Sequence, residues 1–253
     1  MPLLCTALAV SLGAGFVRGF AGFGYSALVV LGLSLLVSPA TVVPAVLMLE
    51  VIASAGLLRG SWPHVDRSWL RALSLGTLMV TPLGMVCLAW LPEGVARLGV
   101  GCTVLLCACF LRAAGHRSPS DSAALRAVAG VGAGWLNGLA SSGGVWAALW
   151  MTGAGVPAAA MRATMDVFLF SGGVYALLWA AALSLGQDSD RLLSSATLGW
   201  VGLLLPTMWL GMVWGRRCVA AVNPGRLRHL VLNLLIAMAS VGVLRALLGL
   251  QKL

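Results

Sequence analysis

Gly15-Phe-Val-Arg-Gly-Phe-Ala-Gly-Phe-Gly24 has a counterpart 119 residues later, Gly134-Trp-Leu-Asn-Gly-Leu-Ala-Ser-Ser-Gly143. At that offset Gly13 aligns with Gly132, Gly15 with Gly134, Gly19 with Gly138, Ala21 with Ala140 and Gly24 with Gly143. Each segment interrupts an apolar run. Residues 3–17 and 25–37 flank the first, and residues 125–136 and 145–152 flank the second. All four runs fall short of the roughly 20 residues a spanning helix needs. A half-length pair around a glycine-rich turn predicts a re-entrant hairpin or a broken helix. Such backbone is tolerated at membrane depth only where protein buries it or it lines a wet cavity.

Composition supplies the membrane. Apolar residues make up 60% of the 253-residue chain and charged residues 9%, with a mean hydropathy of +0.99. A soluble domain carries roughly 25% charged residues, because its surface must face water. A soluble enzyme, a disordered chain and a secreted disulfide scaffold are therefore excluded. The long unbroken apolar runs do not suit an outer-membrane barrel, whose strands alternate over about ten residues. The expected class is an all-α polytopic membrane protein. The N-terminus lacks a basic leader region and reads as part of the mature chain. Cys5, Cys87, Cys102, Cys107, Cys109 and Cys218 contain no CxxC pair and read as packing residues.

Beyond the hairpins, apolar stretches cover residues 41–58, 72–91, 98–111, 158–185, 192–214 and 230–250. The charge excess, 16 Lys+Arg against 7 Asp+Glu, orients them. Arg59, Arg67 and Arg71 mark one cytoplasmic loop. Arg112, Arg117 and Arg126 mark a second, and Arg216, Arg217, Arg226 and Arg228 a third. Asp188 and Asp190, with only Arg191 beside them, suit the outside. All three basic loops lie on one side only if each hairpin enters and leaves by the same face. The chain then divides into a first repeat at 1–112, with its hairpin at 3–37, a cytoplasmic linker at 113–124, and a second repeat at 125–253, with its hairpin at 125–155. Each repeat is a hairpin plus three spans, so the second copy is inverted. Inverted repeats are common among secondary transporters, which bind solute at the repeat interface. The scattered arginines argue against a nucleic-acid partner. A lipid bilayer and a small anionic solute are the partners expected, and a homodimer is a candidate assembly.

The chemistry of a site concentrates at the turns. Gly19, Gly22, Gly24, Gly138 and Gly143 allow tight turning and close backbone approach. The second half-helix of each hairpin begins near Tyr25 or Val145, and its free N–H groups point toward the membrane middle. Two such ends would make an anion site without a metal. Ser141 and Ser142 add hydroxyl donors. Close helix packing is the plainer explanation of the same small residues. Arg18 in the first turn, matched by Asn137 in the second, must find a ligand, a carboxylate or backbone carbonyls, because a charge in the bilayer is costly. Glu50 and Asp166 each lie inside the helix that follows a hairpin. Either is a proton-coupling candidate. Asp166 also reads as the partner of Arg162 one turn earlier, and Arg162 itself as a topogenic cation. His64, His116 and His229 fall in or beside basic loops, and no metal-ligand spacing is present; neither metal nor cofactor is expected. Trp62, Trp69, Trp90 and Trp214 sit near span ends, as an aromatic belt would.

With those residues in view, the sequence resembles the TauE/SafE family of sulfite and organosulfonate exporter-like membrane proteins. The resemblance rests on GFVRGFAGFGYSALVV, on GAGWLNGLASSGGV, on Pro39-Ala40 and Pro157-Ala158 at the entries to the following helices, and on Arg162-Ala163-Thr164. It covers nearly the whole chain. Phe23 and Tyr25 depart from the small residues that often flank this turn in the family. The resemblance implies a transporter of the bacterial inner membrane, not an enzyme. Its cargo would be a small anion such as sulfite, a sulfonate or another sulfur-containing organic anion, moved outward, and Arg162 and Thr164 would join the substrate-binding residues. A channel or importer for related organic acids is the first alternative. An intramembrane serine hydrolase built on Ala140-Ser-Ser-Gly143 and His229 is a remote one, since its serine and histidine would have to meet.

Overall fold

The computed structural model describes residues 2–34, 37–113, 121–185 and 195–218, with isolated positions between 233 and 244. Most of the linker, including His116 and Arg117, lies outside the described residues. So do the loop with Asp188, Asp190 and Arg191, the loop with Arg226, Arg228 and His229, and most of the last apolar stretch.

Every element among the described residues is helical. The first hairpin is α1 (Pro2–Ala21) and α2 (Tyr25–Ser34). Between them Gly22 and Gly24 take φ of 85° and 95°, a left-handed geometry that costs glycine little. Then comes α3 (Pro39–Ala55), opening with proline in its first turn, where the missing N–H would have had no partner. The short α4 (Leu58–Ser61) and a 3₁₀ turn at Trp62–His64 follow, bent 58° away from α3. Next is α5 (Arg67–Trp90), capped by Asp66, whose carboxylate accepts from the Ser68 and Trp69 N–H groups at 3.0 and 3.2 Å. Partial burial pushes the Asp66 carboxyl up, but these bonds, the Ser68 hydroxyl and nearby Arg126 outweigh it and hold it below the ordinary carboxylate range. After α6 (Glu93–Ala113) comes the second hairpin. It consists of α7 (Ala123–Ala140), capped by Ser122, and α8 (Gly143–Gly153). Ser141 turns the chain between them at φ 50°. The long helices α9 (Ala158–Leu185) and α10 (Ser195–Cys218) follow.

The hairpins are less symmetric than their apolar runs predict. The short arms, α2 and α8, have 10 and 11 residues. The first arms run on to 20 and 18, because α1 continues through Arg18 and α7 through Asn137. Leu4–Ala21 is itself long and apolar enough to cross a membrane, as are Arg67–Trp90, Ala158–Ser184 and Ser195–Cys218. A fifth crossing results if α3 and the bent segment through His64 count as one span.

Close backbone packing joins the two halves. α1 lies along α10, and α7 lies along α5. A Cβ on Gly15 would stand 2.5 Å from the Met208 carbonyl oxygen, and one on Gly134 would stand 2.6 Å from that of Gly76. Gly19 and Gly138 press against the carbonyls of Met212 and Thr81. From the other side Gly84 abuts the backbone of Trp135 and Leu139, while Gly215 abuts that of Phe16 and Phe20. Those two pairs are again 119 residues apart. Small residues let backbones approach where lipid removes the usual hydrophobic drive between helices.

At the centre α3 crosses α9, with Gly173 against Val51. The outward sides of α5 and α10 expose Leu75, Leu78, Met79, Leu83, Leu198, Trp209 and Leu210, an apolar surface suited to lipid and not to water. Trp62, Trp90 and Trp214 are exposed near helix ends, but Trp69 is fully buried. It is a core residue, not part of a belt.

Candidate functional site

Arg18 lies in the last turn of α1 with 2% of its surface exposed. A buried guanidinium needs partners for its charge and its donors. It donates to the Gly22 carbonyl oxygen, closing its own turn, and to the Ser54 hydroxyl on α3 at 2.7 Å. Its Nε lies 3.3 Å from Glu50 Oε2, also on α3, and its Nη2 lies 3.5 Å from Asp166 Oδ1 on α9. Two carboxylates from different helices thus flank one cation. The Glu50 contact is an ion pair without hydrogen-bond alignment, since Arg18 Nε and Glu50 Oε2 have no hydrogen-bond partner.

Each carboxylate has a second anchor. Glu50 Oε1 accepts from the Ser26 backbone N–H at 3.3 Å, at the start of α2. One of the free N–H groups of that half-helix is therefore taken by a carboxylate of the protein itself. Asp166 Oδ2 accepts from the Ser61 hydroxyl at 2.8 Å, at the end of α4. Asp166 is thus paired with Arg18 and not with Arg162 one turn earlier. Distance along the sequence hides that pairing, whereas Arg162 is the nearest cation by helical spacing.

Beside this cluster opens a cleft of about 280 Å³, lined by Arg18, Gly19, Gly22, Leu57, Arg162, Asp166 and Arg216. That is near the lower end of small-molecule pockets, roughly 300 Å³. A Cβ on Gly22 would touch the Arg162 side chain at 3.0 Å, so the bare turn lets Arg162 lie against the hairpin tip. Arg162 is half-buried and Arg216 exposed. Neither is in any ion pair among the described residues. The wall therefore carries three cations and one carboxylate, with Glu50 behind it. Such a surface attracts a small anion.

The second hairpin tip is neutral. Asn137 donates to the Gly172 carbonyl oxygen on α9 at 3.0 Å. Gly138 packs on α5, and Gly143 packs against Ala133 and Asn137. The Ser142 hydroxyl turns back to the Ala140 carbonyl oxygen at 2.9 Å. Thr164 joins helices: its oxygen accepts from the Asp66 N–H at 2.9 Å and donates to the Ala160 carbonyl at 2.7 Å. The structure thus gathers Arg18, Gly19, Gly22, Arg162 and Asp166 around one cleft, with Glu50 adjoining. It leaves Gly24, Asn137, Gly138, Ser141, Ser142, Gly143 and Thr164 outside the lining. Both tips rest on α9, the first through Arg18 at Asp166 and the second through Asn137 at Gly172, about 9 Å apart along the helix at 1.5 Å per residue.

Sequence reasoning missed Ser54, Ser61 and Arg216. Ser54 follows Glu50 by one helical turn, a spacing that could have drawn attention to it. Arg216 was concealed by Arg217 beside it, since such a pair at a span end reads as topogenic.

Compared with known proteins, the chain matches the family described as "Sulfite exporter TauE/SafE" over residues 7–241. No individual curated protein and no solved structure matches it. The family match takes in both hairpins, the flanked arginine and the helices that wall the cleft, and on that extent this chain belongs to the sulfite exporter TauE/SafE family.

Proposed function

We propose that this protein is a secondary transporter of the bacterial inner membrane that exports a small anion: sulfite, a sulfonate or another sulfur-containing organic anion. Family membership supports transport. The observation that carries the anion is the cleft, where Arg18, Arg162 and Arg216 face one carboxylate, Asp166. The chain reads as two inverted repeats, 1–112 and 125–253, joined by a cytoplasmic linker. The contacts of Gly84 and Gly215 with residues 119 apart support that division. The cleft lies where α1, α4 and α10 end and α9 begins. Arg59, Arg162, Arg216 and Arg217 occur at those ends, which the positive-inside rule assigns to the cytoplasm. This is the side from which an exporter collects its cargo. For proton coupling, Asp166 is the better placed carboxylate, since it lines the cleft while Glu50 stands behind Arg18.

Purified protein in proteoliposomes, offered sulfite, sulfoacetate, taurine and simple carboxylates, tests the reading. The expected result is saturable flux of at least one sulfur anion, reduced about tenfold or more by Arg162→Gln, which removes one charge-assisted contact. Flux no greater than in protein-free vesicles for the whole panel would end it. A channel for the same anions is the second reading. Flux that fails to saturate would select it.

A further inference from the structure

The proposed anion cleft already contains an anion, and it is a side chain. Of the two carboxylates on Arg18, Glu50 is the sheltered one: its side chain is 2% exposed, and it is tied to the start of α2. Asp166 is the looser one. It stands farther off, at 3.5 Å, its side chain is 9% exposed, and it forms part of the cleft wall. Arg18 is buried, lines the same cleft, and keeps its Nε without a hydrogen bond. Arg162 and Arg216 line the same cleft with no ion pair among the described residues.

We propose that Asp166 is a built-in competitor of the transported anion. It occupies the edge of Arg18 that a sulfonate or sulfite oxygen takes when the cargo enters, while Arg162 and Arg216 hold the cargo from the cleft side. The inference rests on the anion-transport reading above. Glu50 keeps Arg18 neutralised throughout, and the displaced Asp166 lies one helical turn from Arg162 on the same cleft wall, so neither side of the exchange is left without a counterion. Asp166, once displaced, retains the Ser61 hydroxyl on α4. Filling the site would therefore be felt at α4 and the bend that follows α3. A ligand that must evict a resident anion binds less tightly than the bare site would allow. That suits a carrier, which has to release its cargo as well as take it up.

The test measures equilibrium binding of radiolabelled sulfoacetate and sulfite to the purified protein in nanodiscs, with two substitutions at one position. Asp166→Asn removes the competitor, and affinity should rise by roughly 5-fold or more, the scale of ordinary coupling between two ligands sharing a site. Asp166→Glu keeps the charge and lengthens the reach toward Arg18, so affinity should fall. A general charge effect would give the first change and leave Asp166→Glu equal to the native protein, and that result would overturn the proposal. Unchanged or weaker binding by Asp166→Asn would overturn it too. Should Asp166→Asn not assemble, Asp166→Glu decides alone. Failure of the native protein and both variants to bind either anion would remove the anion-transport reading along with the exchange. Binding by the native protein with either contrary variant result would remove the exchange alone.

Discussion

At the scale of the residue, Arg18 is, among the described residues, the one cation paired with the two buried carboxylates Glu50 and Asp166. A buried ion pair is weak support for stability when intact, but breaking one from a single side leaves an uncompensated charge. Arg18→Gln strands both Glu50 and Asp166, and a loss of about 3–5 kcal/mol is expected. Glu50→Gln should cost less, because Arg18 keeps Asp166 and the amide oxygen can still accept from Ser26. Adding Glu50→Gln and Asp166→Asn to Arg18→Gln should recover most of the loss. Thermal unfolding of the purified protein in detergent, followed by tryptophan fluorescence, measures all of these. A triple variant no more stable than Arg18→Gln alone would show that the three charges do not act as a unit. Arg18→Lys is not a mild change here, since one ammonium cannot reach Gly22, Ser54 and two carboxylates in the directions the guanidinium does.

At the scale of the element, the glycines of α1 and α7 have separable duties. Gly22 turns the chain and makes room for Arg162, while Gly19 and Gly138 let helices touch. A Cβ on Gly13 would meet nothing within 4 Å. Gly138→Ala should therefore destabilise by about 1–3 kcal/mol, the usual cost of forcing a methyl into a packed contact. Gly13→Ala should be neutral or stabilise by up to about 1 kcal/mol through helix propensity. Equal melting temperatures for the two variants would deny the α7–α5 contact its role. Sequence reading found these elements unevenly. Hydropathy located the long helices α5, α9 and α10, because lipid-facing residues dominate their composition. It cut α1 and α7 short because Arg18 and the glycines look like helix ends. Both signals mislead inside a bilayer. A paired arginine need not stop a helix, and glycine breaks helices less readily where no water competes for backbone hydrogen bonds. The Arg18–Asp166 pair was out of reach, since no local spacing connects residues on α1 and α9.

At the scale of the whole molecule, one end of the bundle gathers the tip of the first hairpin, α4, the start of α9 and the last turn of α10. If that end is cytoplasmic, a single cysteine replacing His64 should react only with reagent supplied from the cytoplasmic side, and one replacing Pro92 only from outside. Reaction of both from one side would dismantle the inverted arrangement. An inside-negative membrane also pushes an anion outward, by about 2.3 kcal/mol per charge at 100 mV. Export of a sulfonate therefore has a driving force even without a proton. The crossed packing of α1 on α10 and α7 on α5 bears finally on the order in which the chain is made. The first hairpin leaves the ribosome well before the helix that covers its glycine face, which follows roughly 190 residues later, about 10–40 s at ordinary rates of synthesis. For most of that interval Arg18 has only Glu50, made 32 residues after it, because Asp166 follows it by 148 residues. Glu50 is thus the partner that escorts the charge into the bilayer, and a nascent chain halted before α10 would present a bare helix groove to the membrane's quality-control proteases.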